Sequence, residues 1–181
     1  AGTAITTGDL NTFLGYNAGA TTATASDNTG VGYNAGASIT TGVQNVLIGG
    51  LAGDAINSAS NNTALGYSSL TANTTGINNV GIGSGALFTN TTAANNTAVG
   101  TNSLLLNTTG ANNTAVGFLS LDANDTGGSN VAVGFSALGA NTTAAYNTAV
   151  GNAALAINTT GTQNVAVGAF ALDANTTAND N

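Results

Sequence analysis

Apolar side chains recur along this chain every 17 residues, separated by segments made almost wholly of Asn, Thr, Gly, Ala and Ser. The unit is clearest at Asn96-Thr97-Ala98-Val99-Gly100. The same pattern opens at Asn11, Asn28, Asn45, Asn62, Asn79, Asn113, Asn130, Asn147 and Asn164, and Asn181 begins an eleventh copy. Counted from the leading Asn, places 2 and 4 hold β-branched or aliphatic pairs such as Val46/Ile48, Thr97/Val99 and Val131/Val133. Residues two apart in an extended segment share a face. Each copy therefore predicts a short strand, and the face of places 2 and 4 is expected to be the core. Place 3 is Ala or Gly from Ala64 onward and is expected on the bare outer face, where a second chain would approach closely. Place 5 is Gly in every copy from Gly15 to Gly168, which predicts a corner with positive φ or no room for a Cβ.

Past the corner, a small residue followed by Leu recurs at Ser69-Leu70, Ala86-Leu87, Ser103-Leu104, Ser120-Leu121, Ala137-Leu138, Ala154-Leu155 and Ala171-Leu172. The leucine is expected to be a second core anchor. Gly19, Gly36 and Gly53 replace it in the first three copies, where Tyr16, Tyr33 and Tyr67 are candidates to fill the space. The unit closes on Asn-Thr-Thr-Gly or Asn-Thr-Thr-Ala, as at Asn73–Gly76 and Asn90–Ala93. Helix is ruled out because Gly, Asn and Thr interrupt every Ala-Leu run before about 10 residues. Disorder is ruled out by aliphatic places held at a rigid period.

A strict period of this length reads as a solenoid, one repeat per coil. The fold class expected is all-β, a parallel β-solenoid of about ten coils forming a single domain over residues 1–181. At about 4.8 Å per coil the rod would be roughly 50 Å long. Stacking places like residues above one another. The leading asparagines, Asn28, Asn45, Asn62, Asn79, Asn96, Asn113, Asn130, Asn147 and Asn164, would form an amide ladder, as would the later column from Asn73 to Asn175. Ala1 enters in mid-repeat and Asn181 stops at the first place of the next, so the chain reads as a segment of a longer fibre.

Composition narrows the chemistry. There is no Lys, Arg, His, Pro, Cys, Met or Trp, and seven aspartates give a formal charge of −7. The usual zinc sites, thiol nucleophiles and Ser-His-Asp triads are excluded, and no cofactor is expected. Nucleic acid and anionic membrane surfaces are not expected partners, since both need basic residues. No apolar run reaches the ~18 residues of a membrane helix, so membrane insertion is not expected in this segment.

Asn-Thr-Ala-Val-Gly followed by Ala-Leu and Asn-Thr-Thr-Gly resembles the YadA-like head repeats of trimeric autotransporter adhesins, and similar repeats in phage tail-fibre-like proteins. The likeness covers nearly the whole chain. It implies a left-handed parallel β-roll, three chains side by side, at a cell or virion surface. The coil here is longer than is usual in those heads, and no neck, stalk or anchor is present in the sequence.

Four groups of residues are candidate sites. Asp122 and Asp125, with backbone carbonyls, would suit calcium, although solvated turn aspartates explain them as well. Thr75, Thr92, Thr109, Thr126, Thr143 and Thr160 form one column, which is either a structural ladder or a surface array for ice or a glycan. The Asn-x-Thr sequons at Asn73, Asn90, Asn107, Asn124, Asn141, Asn158 and Asn175 follow from the repeat itself. Tyr16, Tyr33, Tyr67, Phe118, Phe135 and Phe170 would stack on sugars or fill gaps. The function expected is non-enzymatic: an extracellular structural or adhesive fibre segment, self-associating as a homotrimer or end to end, with a surface glycan or protein as ligand. The alternatives are an ice-binding solenoid using the Thr array, or a phage tail-fibre shaft.

Overall fold

The computed structural model describes all residues, Ala1–Asn181. Ten three-residue strands, one per repeat, run from β1 (Thr12–Leu14) through β2 (Thr29–Val31), β3 (Val46–Ile48), β4 (Thr63–Leu65), β5 (Val80–Ile82), β6 (Thr97–Val99), β7 (Thr114–Val116), β8 (Val131–Val133) and β9 (Thr148–Val150) to β10 (Val165–Val167). They form one parallel sheet in chain order, each strand paired with the next at a shift of 17 residues, as in Thr97↔Thr114 and Ala98↔Ala115. One repeat is therefore one coil of an all-β solenoid. There is no helix, and hence none long and apolar enough to cross a membrane.

Most of the stacking lies outside the sheet. Of 116 backbone hydrogen bonds only 18 fall within the strands, so the turns carry the coil-to-coil ladder. The turns depend on left-handed backbone: places 7, 9 and 17 have φ near +50° to +60°, as at Asn102, Leu104 and Asn112. The place 5 glycine lies further out, at +132° in Gly100, and a Cβ there would sit 2.5 Å from the Gly117 carbonyl oxygen. Both reasons expected for this glycine hold. Place 15, where Gly and Ala nearly alternate, is tight at its glycines. A Cβ on Gly76 or Gly110 would lie 2.3 Å from the carbonyl of the coil above.

The core faces the opposite way from the sequence expectation. In β6 and β7 the middle residue is buried and its two neighbours are half-exposed. Ala64, Ala98, Ala115, Ala132 and Ala149 point inward and are fully buried with Leu70, Leu87, Leu104, Leu121, Leu138 and Leu155. The coil is too thin for two layers of large side chains. A Cβ on Gly81 of the strand side would already lie 2.6 Å from Ser69 Oγ and 3.4 Å from Leu70 Cγ. Leucine fills the space from the turn side, so the strand side must be small. The β-branched pairs at places 2 and 4 are left outside.

The first three coils reach the same filling by another route. Gly36 and Gly53 replace the leucine, and the space is taken by Leu47 at place 3 and by Ile39 and Ile56 at place 12. Phe13 does the same against Gly19. The tyrosines expected there do not: Tyr16, Tyr33 and Tyr67 are exposed.

Candidate functional site

Two asparagine columns run through the interior, and they are bonded differently. In the leading column each Oδ1 accepts the backbone N–H of the next asparagine, as from Asn113 to Asn96 at 2.9 Å. The Nδ2 donates across its own coil to place 15, from Asn96 to the Gly110 carbonyl at 2.9 Å. Amide-to-amide bonds join only some rungs of this column, such as Asn45 to Asn28 at 3.0 Å. Of the two columns expected to form amide ladders, the one at place 12 does so without a break, where Asn107 donates to Asn90, Asn124 to Asn107 and Asn141 to Asn124 at 2.8–3.0 Å. The leading asparagines from Asn28 to Asn164 are buried, so they hold the rod together and present nothing to a ligand.

The same burial removes six of the seven sequons from the surface, Asn175 in the last coil being half-buried. Asn73, Asn90, Asn107, Asn124, Asn141 and Asn158 are fully buried, and their Nδ2 groups bond place 15 carbonyls. A glycosyltransferase would have to unfold the coil to reach them. Thr22 shows what the column supplies: it stands at place 12 below Ile39, outside the ladder, and its buried hydroxyl has no partner.

The threonines divide into two kinds. Place 13 hydroxyls donate to the next coil, from Thr74 to the Thr91 carbonyl at 3.1 Å and from Thr159 to the Thr176 carbonyl at 3.1 Å. The place 14 column, Thr75, Thr92, Thr109, Thr126, Thr143 and Thr160, is exposed throughout. Its hydroxyls bond to nothing in the chain, so of the two columns it is the array free to meet water or a ligand.

The aspartates do not assemble. Asp54, Asp122 and Asp173 share place 10 but stand three or four coils apart, and no three acidic side chains gather anywhere. Asp125 accepts the Thr108 hydroxyl, and Asp54 that of Thr71. Burial pushes the Asp122 carboxyl above the ordinary value, opposed by bonds from the backbone of Asp122 and Ala123. Asp122 and Asp125 are one turn of chain, not a formed calcium shell, which takes six to eight oxygens.

The remaining surface features are apolar. The outward strand face presents Val46, Ile48, Leu65, Val131, Val165 and Val167 in two straight columns, interspersed with the strand threonines. It runs the length of the sheet, about 45 Å at the spacing of parallel strands. On the turn side, Tyr16 stacks on Tyr33 with ring centroids 5.7 Å apart, and Phe118 on Phe135 at 5.8 Å. All six aromatics of this group are exposed. Sequence reasoning took the strand face for the core and so missed it as a surface.

No protein-family model matches this chain, and no curated protein and no solved structure matches it either.

Proposed function

We propose that the chain is a segment of an extracellular structural or adhesive fibre, at a cell or virion surface, and has no catalytic role. The observation that carries this reading is the outward strand face. Monomeric proteins rarely leave a continuous apolar surface of more than a few hundred Å² uncovered. Here the place 4 column is aliphatic in all ten coils, from Leu14 to Val167, beside a place 2 column of four valines and six threonines, and the face holds no charge. Copies of the chain packed face to face would bury it, and three around one axis is the arrangement that the resemblance to adhesin head repeats implies. Val99, Val116 and Val133 would make the contact, and the place 3 alanines, being internal, would not. The chain's acid–base groups are aspartates, tyrosines and the termini, consistent with a mechanical role: a stiff rod that holds binding surfaces away from its anchor.

The test is a pair of outward substitutions, Val116→Lys and Val133→Lys, followed by sedimentation. The fibre reading expects the assembly to fall apart while each chain keeps its β-sheet circular dichroism. An assembly that sediments unchanged would remove the strand face from the account.

The exposed threonine column supports a second reading, ice binding, because six hydroxyls without protein partners repeat at the coil spacing. Thermal hysteresis separates the two. Activity that disappears when Thr92, Thr109 and Thr143 are replaced by a bulkier residue favours ice, and no hysteresis in the native chain leaves the fibre.

A further inference from the structure

Place 6 is aromatic in five of the ten coils, Tyr16, Tyr33, Tyr67, Phe118 and Phe135, and between Tyr67 and Phe118 two successive coils carry the small Ser84 and Thr101. Beside the gap, Gly85 is the one glycine at place 7, and Phe88 is the one aromatic at place 10. Together these exchanges open a groove of about 350 Å³ across three coils. That lies near the lower end of the ~300–1,000 Å³ that small-molecule sites occupy. Its apolar surface comes from Tyr67, Phe88, Leu105 and Leu106. Its polar groups are Ser68, Ser84 and Asn102, whose side chains bond nothing in the protein. The place 8 serines beside them are used internally: Ser69 donates to the Gly81 carbonyl and Ser103 to that of Gly100.

We propose that this groove binds a neutral sugar ring of a surface glycan. A pyranose has an apolar face of C–H bonds and a rim of hydroxyls. The first matches the exposed rings of Tyr67 and Phe88, the second the free hydroxyls of Ser68 and Ser84 and the Asn102 amide. Acidic sugars and phosphates are disfavoured, because the chain holds no Lys, Arg or His and carries −7 overall. A purely apolar protein segment fits less well, since covering the groove would dry three polar groups without giving them partners. The proposal rests on the adhesive half of the reading above. It names the ligand class and where on the rod the ligand sits.

The backbone supplies a clean blocking variant. Place 7 accepts asparagine at positive φ in Asn17, Asn34 and Asn102, so Gly85→Asn fills the groove without a new backbone geometry. Its Cβ would crowd Asn102 Oδ1, at 2.5 Å, the mobile end of a side chain, and touch Leu105 Cδ1 at an ordinary 3.6 Å. Tyr67→Ala removes the ring instead. The experiment titrates isotope-labelled native assembly with cellotriose, maltotriose and chitotriose at millimolar concentration and follows amide and aromatic resonances. The expected result is that at least one trisaccharide shifts Tyr67, Gly85, Phe88 and Asn102. Gly85→Asn and Tyr67→Ala should each weaken it about tenfold or more, with unchanged thermal melting. The proposal is overturned if no trisaccharide moves these resonances, or if the shifts survive Gly85→Asn. It is also overturned if the same resonances move with protein concentration alone, which would make the groove a contact between copies. A rod that assembles and ignores every sugar would lose the groove and keep the fibre.

Discussion

Gly100 sits at φ +132°, a conformation that side-chain-bearing residues rarely adopt, and a Cβ there would strike the carbonyl of the next coil. Gly100→Ala should therefore cost more than about 2 kcal/mol, read as a lowered urea midpoint with unchanged slope. A neutral result would mean that the coil corner is not as tight as described. Asn107 tests the interior amides. It donates to Asn90 and to the Gly110 carbonyl, and its Oδ1 accepts from Asn124. Asn107→Ala leaves the Asn90 Oδ1 without a donor and one Asn124 N–H without an acceptor, at about 1–3 kcal/mol each before relaxation, while the Gly110 carbonyl keeps its bond from Asn96. The expected loss exceeds that of Thr109→Ala, whose hydroxyl bonds nothing. At this scale the sequence was informative. The invariant glycine and the asparagine columns can be read from the period alone, because stacking forces each to meet its own copy. Which amide bonds which group cannot be read so, since the ladder and the cross-coil bond use the same residue type.

A single strand of three residues offers two faces, and here the choice between them was the part least visible in the sequence. Large β-branched residues at Thr97 and Val99 suggested the core, and the small Ala98 suggested the outside. Coil thickness decided otherwise, because leucine enters from the turn and leaves room only for alanine opposite. A signal was present. Asn96 and Ala98 are two apart and share a face, so an internal asparagine ladder already puts Ala98 inside. The first three coils also show that the filling is a property of the set: Leu47, Gly53 and Ile56 stand where later coils have Ala64, Leu70 and Asn73. Replacing Leu104 by Gly alone should open a cavity and cost several kcal/mol, about 2–5 by analogy with buried leucine truncations. Adding Ala98→Leu and Asn107→Ile should recover part of that loss, a favourable coupling of about 1 kcal/mol or more in a mutant cycle. Additive losses would mean that the exchanges in the early coils are unrelated.

The whole rod should respond unusually to acid. Most proteins lose stability at low pH as paired carboxylates protonate, and a chain without Lys, Arg or His has no side-chain ion pairs to lose. The carboxyl of Asp122 works in the opposite direction. Burial raises it above 3.8, so the native chain takes up its proton more readily than the unfolded chain. Its effect is to lower stability as pH rises through that window, and the deficit remains at neutral pH. Asp122→Asn should therefore melt higher than the native chain at neutral pH, with the difference vanishing near about pH 3. A variant that melts lower at every pH would contradict this.

The strand face remains the feature on which the molecule's role turns, and the mass of the native particle tests it most directly. Native mass spectrometry or light scattering of the unmodified chain should give three times the 17.2 kDa of one chain, stable on dilution. A single 17.2 kDa particle at working concentrations would mean that the Thr and Val columns are content in water, and that the rod is not built by packing them together.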